Sequence, residues 1–276
     1  MEREFTVLKA LYGSDVPVPA PLLLCEDAGI IGTAFYIMDF VEARVFSAPG
    51  MPGATPAHRS GVYASLAQTL AKLHQVDWRS CGLATFGRPE GYITRQFERW
   101  SKQYVATKTE TIEPMDKLMA WLPGQMSTSD EAAVVHGDYR LGNLLIDPAA
   151  PRVVAVVDWE LATIGHPLSD LAYACMAYRL APNDPVFAGL AGADLVALGI
   201  PTEKELVATY CRASGREMIP DWSFYLAFSF FRLAAITQGV YARSLQGNAS
   251  DQRAGYYGAV AKQSAAIGWS IACNGA

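Results

Sequence analysis

One segment constrains the fold more than any other, residues 132–160. A short apolar run at 132–135 leads into the polar stretch His136-Gly137-Asp138-Tyr139-Arg140-Leu141-Gly142-Asn143. A second apolar run follows at 144–146. The turn Asp147-Pro148-Ala149-Ala150-Pro151 comes next, and a third apolar run at 153–157 ends in Asp158-Trp159-Glu160. Short apolar runs bounded by turn residues read as strands. Here they form a small cluster inside a chain that otherwise carries helical spacing. That grouping favours an α+β fold over a regular alternation of strand and helix.

The flanks agree. Phe5, Leu8 and Leu11 predict a helix over 2–11, ended by Gly13-Ser14-Asp15, with Pro17 and Pro19 keeping the following stretch extended. Runs at 22–25 and 34–38, with Gly29 and Gly32 between them, predict an antiparallel hairpin. Residues 44–46 are a candidate short strand. Thr55 followed by Pro56 starts a helix that carries Val62, Leu66, Leu70 and Leu73 on one face and ends near His74. Further helices are expected at 92–108 and 115–121. Everything after Pro167 reads as helical, with breaks near 182–185, 199–201 and 219–220.

Composition bounds the function classes. Of 276 residues, 51% are apolar and 18% charged, which excludes a disordered chain and fits one large domain or two joined lobes. The net charge of −5 argues against nucleic acid or an anionic membrane as main partner. The five cysteines are odd in number and form no C-x-x-C pair, so reduced thiols in a cytoplasmic setting are expected. The charged opening Met1-Glu2-Arg3-Glu4-Phe5 does not read as a secretory signal. The apolar stretch 222–236 is interrupted by Arg232 and too short for a bilayer, so it predicts a core helix.

The chemistry is concentrated in three residues. Asp138 and Asn143 share one loop, and Asp158 ends the strand that returns beside it. Two carboxylates and an amide oxygen are hard ligands that suit Mg2+. A carboxylate kept off the metal can orient an alcohol. A positioned hydroxyl and a neutralised polyphosphate are what phosphoryl transfer requires.

The pattern H-x-D-x-x-x-x-N followed by a strand-end aspartate resembles the catalytic loop and metal site of protein-kinase-like folds. Gly137 after His136, and Asp158-Trp159-Glu160, resemble the aminoglycoside phosphotransferase and choline kinase branch. The stretches Phe86-Gly87-Arg88-Pro89-Glu90-Gly91-Tyr92, Arg99-Trp100-Ser101-Lys102-Gln103-Tyr104 and Gln238-Gly239-Val240-Tyr241-Ala242-Arg243 are similar to the kinase-like domain associated with some acyl-CoA dehydrogenases.

The resemblance implies a two-lobe fold. Residues 1–42 would be a truncated N-lobe, helix plus hairpin, ending in the hinge, and 43–276 a mostly helical C-lobe. It implies an ATP- and Mg2+-dependent kinase of a small-molecule alcohol, a hydroxyacyl-CoA or hydroxy acid, with an acyl-CoA dehydrogenase as a possible partner. Asp138 resembles the catalytic base and Arg140 a contact to the γ-phosphate. Asn143 and Asp158 resemble the Mg2+ ligands. His136 and Asp170 resemble structural braces of the loop, and Glu160 stands either beside the metal or exposed. In the hinge, the Asp39 carbonyl and Val41 N–H would meet adenine, with Met38 lining its pocket. Arg95, Arg99 and Lys102 are candidate substrate-side cations.

The N-terminus departs from the family pattern. Glu4 matches the helix glutamate that pairs with a phosphate-binding lysine, but no strand precedes it and Lys9 lies on the same helix. A truncated reading frame is the expectation. An alternative is a non-catalytic, pseudokinase-like binding module. A metal-dependent hydrolase using His136, Asp138, Asp158 and His166 is a third reading, and it leaves Asn143 and the hinge unexplained.

Overall fold

The structure is a computed structural model that describes residues 1–126, 131–184, 186–246 and 254–276. In chain order its elements are α1 (Glu2–Leu11), β1 (Pro21–Cys25), α2 (Ala28–Ile31), β2 (Phe35–Met38), α3 (Pro56–Gln75), α4 (Tyr92–Thr107), α5 (Glu113–Trp121) and β3 (Ala133–Val135). They continue with β4 (Leu144–Ile146), β5 (Val153–Val156), β6 (Thr163–Gly165), α6 (Leu168–Cys175), α7 (Leu195–Leu198), α8 (Glu203–Ser214), α9 (Trp222–Leu245) and α10 (Tyr257–Asn274). The architecture is α+β. The chain divides into two packed units, Met1–Pro89 with Glu131–Ala174 and Gly192–Ile219, and Glu90–Asp130 with Cys175–Ala191 and Pro220–Ala276.

Among the described residues, the first unit holds the six strands as three antiparallel pairs, β1–β2, β3–β6 and β4–β5. Its spine is α3, started by the Thr55 hydroxyl, which accepts from the His58 N–H, and by Pro56 in the first turn. The face of Val62, Leu66, Leu70 and Leu73 is buried, and the helix packs on α8, β3 and β5. Helix α1 buries Val7, Leu8 and Leu11 and packs on β1 and on the single turn at Trp159–Leu161.

Three details differ from the expectation. The β1–β2 connection is not a simple loop: α2 fills it, started by the Asp27 side chain and closed by Gly32 at φ +91°. Residues 44–46 form no strand, only a bridge between Arg44 and Ile146, because one pair of backbone bonds is all that β4 offers there. Strand β6 pairs with β3 although its three residues carry no readable period. The β1–β2 hairpin leaves Leu22, Leu23, Ile37 and Met38 exposed, and Phe40 beyond it is 92% exposed.

The second unit is helical. Helix α9 buries Phe224, Phe228, Phe230 and Phe231 and packs against α4, α5 and α10. Gly268 permits the α10 approach, since a Cβ there would stand 3.1 Å from both Leu118 Cδ1 and Phe230 Cβ. The 222–236 stretch is thus a core helix. Among the described residues, no helix is long and apolar enough to cross a membrane.

Candidate active site

The loop between β3 and β4 is held from several sides. The Asp138 N–H donates to His136 Nδ1 at 3.2 Å, so Nε2 carries the ring proton and donates to the Val157 carbonyl at 2.9 Å. The His136 ring lies 4.7 Å from that of Trp159, whose indole N–H donates to the Val156 carbonyl. Tyr139, fully buried, donates its hydroxyl to the Leu66 carbonyl on α3. Gly137 sits at φ +84°, and a Cβ there would stand 2.7 Å from the Leu161 carbonyl oxygen. Backbone approach and backbone conformation both require glycine.

Asp170 closes the loop from below. Its Oδ2 accepts from the His136 N–H at 2.5 Å and its Oδ1 from the Gly137 N–H at 2.9 Å. Full burial works to raise its pKa, but the His74 ring, followed by the His136 ring and N–H, outweighs that and holds the carboxyl below the usual range. The sequence places His74 only as the end of α3. Nothing in the linear pattern ties it to Asp170.

Three of the expected site residues meet in this loop. Asn143 Nδ2 donates to the Asp138 carbonyl and to Asp138 Oδ2, both at 2.9 Å. Arg140 Nε lies 3.2 Å from the same Oδ2, with the guanidinium half exposed. Both donations use the amide nitrogen, so the Asn143 Oδ1 is left as an acceptor. The Val157 N–H donates to the Asn143 carbonyl and so sets Asp158 next to the loop.

Asp158 is exposed and left-handed, φ +70° and ψ 58°. That conformation is costly for a residue with a Cβ and is concentrated at functional sites. Its carboxylate, that of buried Glu4 and that of exposed Glu160 lie within 4.8 Å of one another. Glu4 faces the Tyr36 hydroxyl. Burial first, and then the Glu4 charge, raise the Tyr36 pKa. Among the described residues no lysine pairs with Glu4, whose ion pair is with the Met1 ammonium at 3.8 Å. Arg3, next to Glu4, donates to the Phe86 and Ala162 carbonyls and lies 4.1 Å over the Phe86 ring. This ties α1 to the segment after Asp158, a link the sequence does not announce.

The Asp39 N–H donates to the Ala20 carbonyl, while the Asp39 carbonyl and the Val41 N–H are unused among the described residues. Met38 beside them is exposed. Arg95, Arg99 and Lys102 lie on α4 in the other unit; Arg99 covers the Trp100 ring at 5.0 Å, and Arg95 donates to the Glu90 carbonyl.

Asp138 held by Asn143, with Asp158 on the adjoining strand end, stands in the order of the H-x-D-x-x-x-x-N loop and following aspartate of protein-kinase-like folds. Residues 1–222 match the phosphotransferase enzyme family, and the chain belongs to it. It is 44% identical over 272 residues to mouse acyl-CoA dehydrogenase family member 10, spanning 99% of this chain and 25% of that protein. It is 46% identical to rat acyl-CoA dehydrogenase family member 11, over 91% of this chain and 32% of that one. The chain thus spans a quarter to a third of the length of these relatives. A solved Ralstonia eutropha protein, described as a candidate aminoglycoside phosphotransferase, is 47% identical with TM-score 0.94, over 99% of this chain and 83% of that one. The GDP complex of aminoglycoside 2'-phosphotransferase-IIIa shares the fold at 13% identity, with TM-score 0.63 over 96% of this chain and 81% of that one.

Proposed function

We propose that this chain transfers the γ-phosphoryl group of ATP, with Mg2+, to the hydroxyl of a small molecule. A hydroxy acid or hydroxyacyl thioester of coenzyme A is the acceptor class. One observation carries the reading: Asn143 spends both amide protons on Asp138, which fixes that carboxylate and leaves the Asn143 Oδ1 beside it as a hard ligand. In this reading residues 1–42 belong to the N-lobe and hinge, and residues 43–276 to the C-lobe.

The donor set fits Mg2+. Asn143 and Asp158 would hold it, and the cation would neutralise charge on the phosphates. Asp138 orients the acceptor hydroxyl and takes its proton as the oxygen–phosphorus bond forms. The bond between the γ-phosphorus and the β–γ bridging oxygen breaks, and ADP leaves. Arg140, now paired with Asp138, turns its exposed guanidinium to the transferring phosphoryl group. The unused Asp39 carbonyl and Val41 N–H take the adenine edge, and Met38 lines its face.

The acyl thioester class, a cytoplasmic setting and an acyl-CoA dehydrogenase partner rest on the names of the longer relatives and on the cysteine pattern. The test is ATP binding by calorimetry with and without Mg2+. Binding should need Mg2+ and weaken in Asp158→Ala; equal affinity in all cases refutes the metal assignment. One observation favours the second reading, a non-catalytic binding module: the Glu4 carboxylate stands beside the Tyr36 hydroxyl and makes its ion pair with the Met1 ammonium. Mg2+-dependent ATP binding without transfer to any acceptor would establish that reading.

A further inference from the structure

Below the loop, away from the proposed metal ligands, lies a buried chain of polar groups that the transfer chemistry does not use. Asp170 Oδ2, already bonded to the His136 N–H, is 3.6 Å from His74 Nε2, and these side chains are 2% and 3% exposed. Among the described residues that nitrogen has no hydrogen-bond partner, and the carboxylate ion-paired with it is Asp170. The other ring nitrogen, Nδ1, is 2.8 Å from the hydroxyl of the fully buried Tyr210. The Arg216 guanidinium stands close enough to that hydroxyl for its charge to work against the rise in the Tyr210 pKa, and its two terminal nitrogens bond to the two oxygens of Glu131. Burial of Tyr210 raises its pKa, so the phenol keeps its proton.

The direction of this chain follows from what each group can donate. Guanidinium has donors only, so toward Arg216 the Tyr210 hydroxyl can serve only as an acceptor. The Tyr210 proton is then left for His74 Nδ1. A ring that accepts at Nδ1 carries its proton on Nε2, which points it at Asp170. The opposite tautomer would set a lone pair against a buried carboxylate. Arg216 is itself held in place, since it follows the left-handed Gly215 that ends α8, and its N–H donates to the Cys211 carbonyl.

We propose that Glu131, Arg216, Tyr210 and His74 form a positioning relay that fixes the His74 tautomer and, through Asp170, holds the backbone of the loop carrying Asp138. None of the four touches the reacting groups. Their role in transfer rests on the phosphotransferase reading above, whereas the relay itself does not. Its loss frees the His136 and Gly137 N–H groups to open and disorders the base, so it slows the chemical step and leaves the hinge contacts to ATP alone.

The test uses the full chain and the variants Tyr210→Phe, His74→Ala and His74→Gln. The wild-type ring 15N shifts of His74 should show the proton on Nε2; a proton on Nδ1 overturns the relay without any variant being needed. Amide exchange at His136 and Gly137 should speed up about tenfold in Tyr210→Phe and His74→Ala, the scale of one buried hydrogen bond lost. His74→Gln, whose amide N–H can reach toward Asp170, should restore most of the protection. Unchanged exchange in Tyr210→Phe, or no recovery in His74→Gln, overturns it. In turnover, kcat should fall in Tyr210→Phe with KM for ATP unchanged. Altered exchange with unaltered kcat overturns the positioning role. Absence of turnover in the wild type counts against the phosphotransferase reading, and the tautomer and exchange results then decide the relay on their own.

Discussion

Replacing Gly137 by alanine separates two costs that the structure stacks at one position. The first is conformational: φ is +84°, and a left-handed residue with a Cβ costs about 1–2 kcal/mol. The second is steric. The new Cβ would stand 2.7 Å from the Leu161 carbonyl oxygen and 2.9 Å from Leu161 Cβ, and a carbonyl cannot rotate away as a side-chain end can. Forced backbone shifts of this kind cost about 1–3 kcal/mol, so Gly137→Ala should lose about 2–5 kcal/mol. Two controls divide the sum. Gly82, at φ +93° with nothing within 4 Å, carries only the conformational cost, and Gly82→Ala should lose about 1–2 kcal/mol. Gly142 has no left-handed φ, and its Cβ would meet only the Arg140 Nη1 at 2.6 Å, the end of a flexible side chain. Gly142→Ala should be nearly neutral. Urea unfolding of the three variants at constant m is the assay. A Gly137→Ala loss no larger than that of Gly82→Ala would refute the close approach of Leu161 as the reason for glycine there.

Two further outcomes follow from the braces around the loop. Asp170→Asn keeps only one acceptor oxygen for two loop N–H groups, so it should cost about 1–3 kcal/mol at neutral pH. Because the folded Asp170 pKa is depressed, its stabilisation is present above the unfolded value of about 3.9 and fades as pH falls through the folded one. Acid titration of unfolding should therefore bring wild type and Asp170→Asn closer together below about pH 4, and a gap constant down to pH 2 would contradict the shift. Arg3→Met removes two donations to carbonyls and the contact over Phe86 while keeping an apolar stem, and denaturation should show a loss of about 1 kcal/mol. No change there would mean that α1 is not tied to the Asp158 segment through Arg3.

What the sequence makes legible here is what local rules govern. The Thr55–Pro56 start of α3 and the antiparallel β4–β5 return each depend on residues a few positions apart. So does the meeting of Asp138 with Asn143 across one short loop. Strand β6 is invisible because three residues take their conformation from β3, not from their own pattern. The left-handed turn of Asp158 is likewise imposed by its surroundings, since aspartate has no intrinsic need for it. Distance along the chain hides the rest. Arg3 reaches Ala162, and Arg216 reaches Glu131, only once the fold has brought them together. Glu4 and Tyr36, on different elements, are likewise brought together only by the fold.

The central claim is that Asp138 serves as the base in phosphoryl transfer from ATP. Its most direct test is transfer of labelled γ-phosphate to a panel of hydroxy acids and hydroxyacyl-CoA thioesters by the wild type and by Asp138→Asn, with ATP affinity measured alongside. The account predicts labelled product from the wild type, a rate lower by about 10²–10⁴-fold in Asp138→Asn, and closely similar affinity for Mg2+-ATP in both. Equal transfer by the two proteins would contradict it.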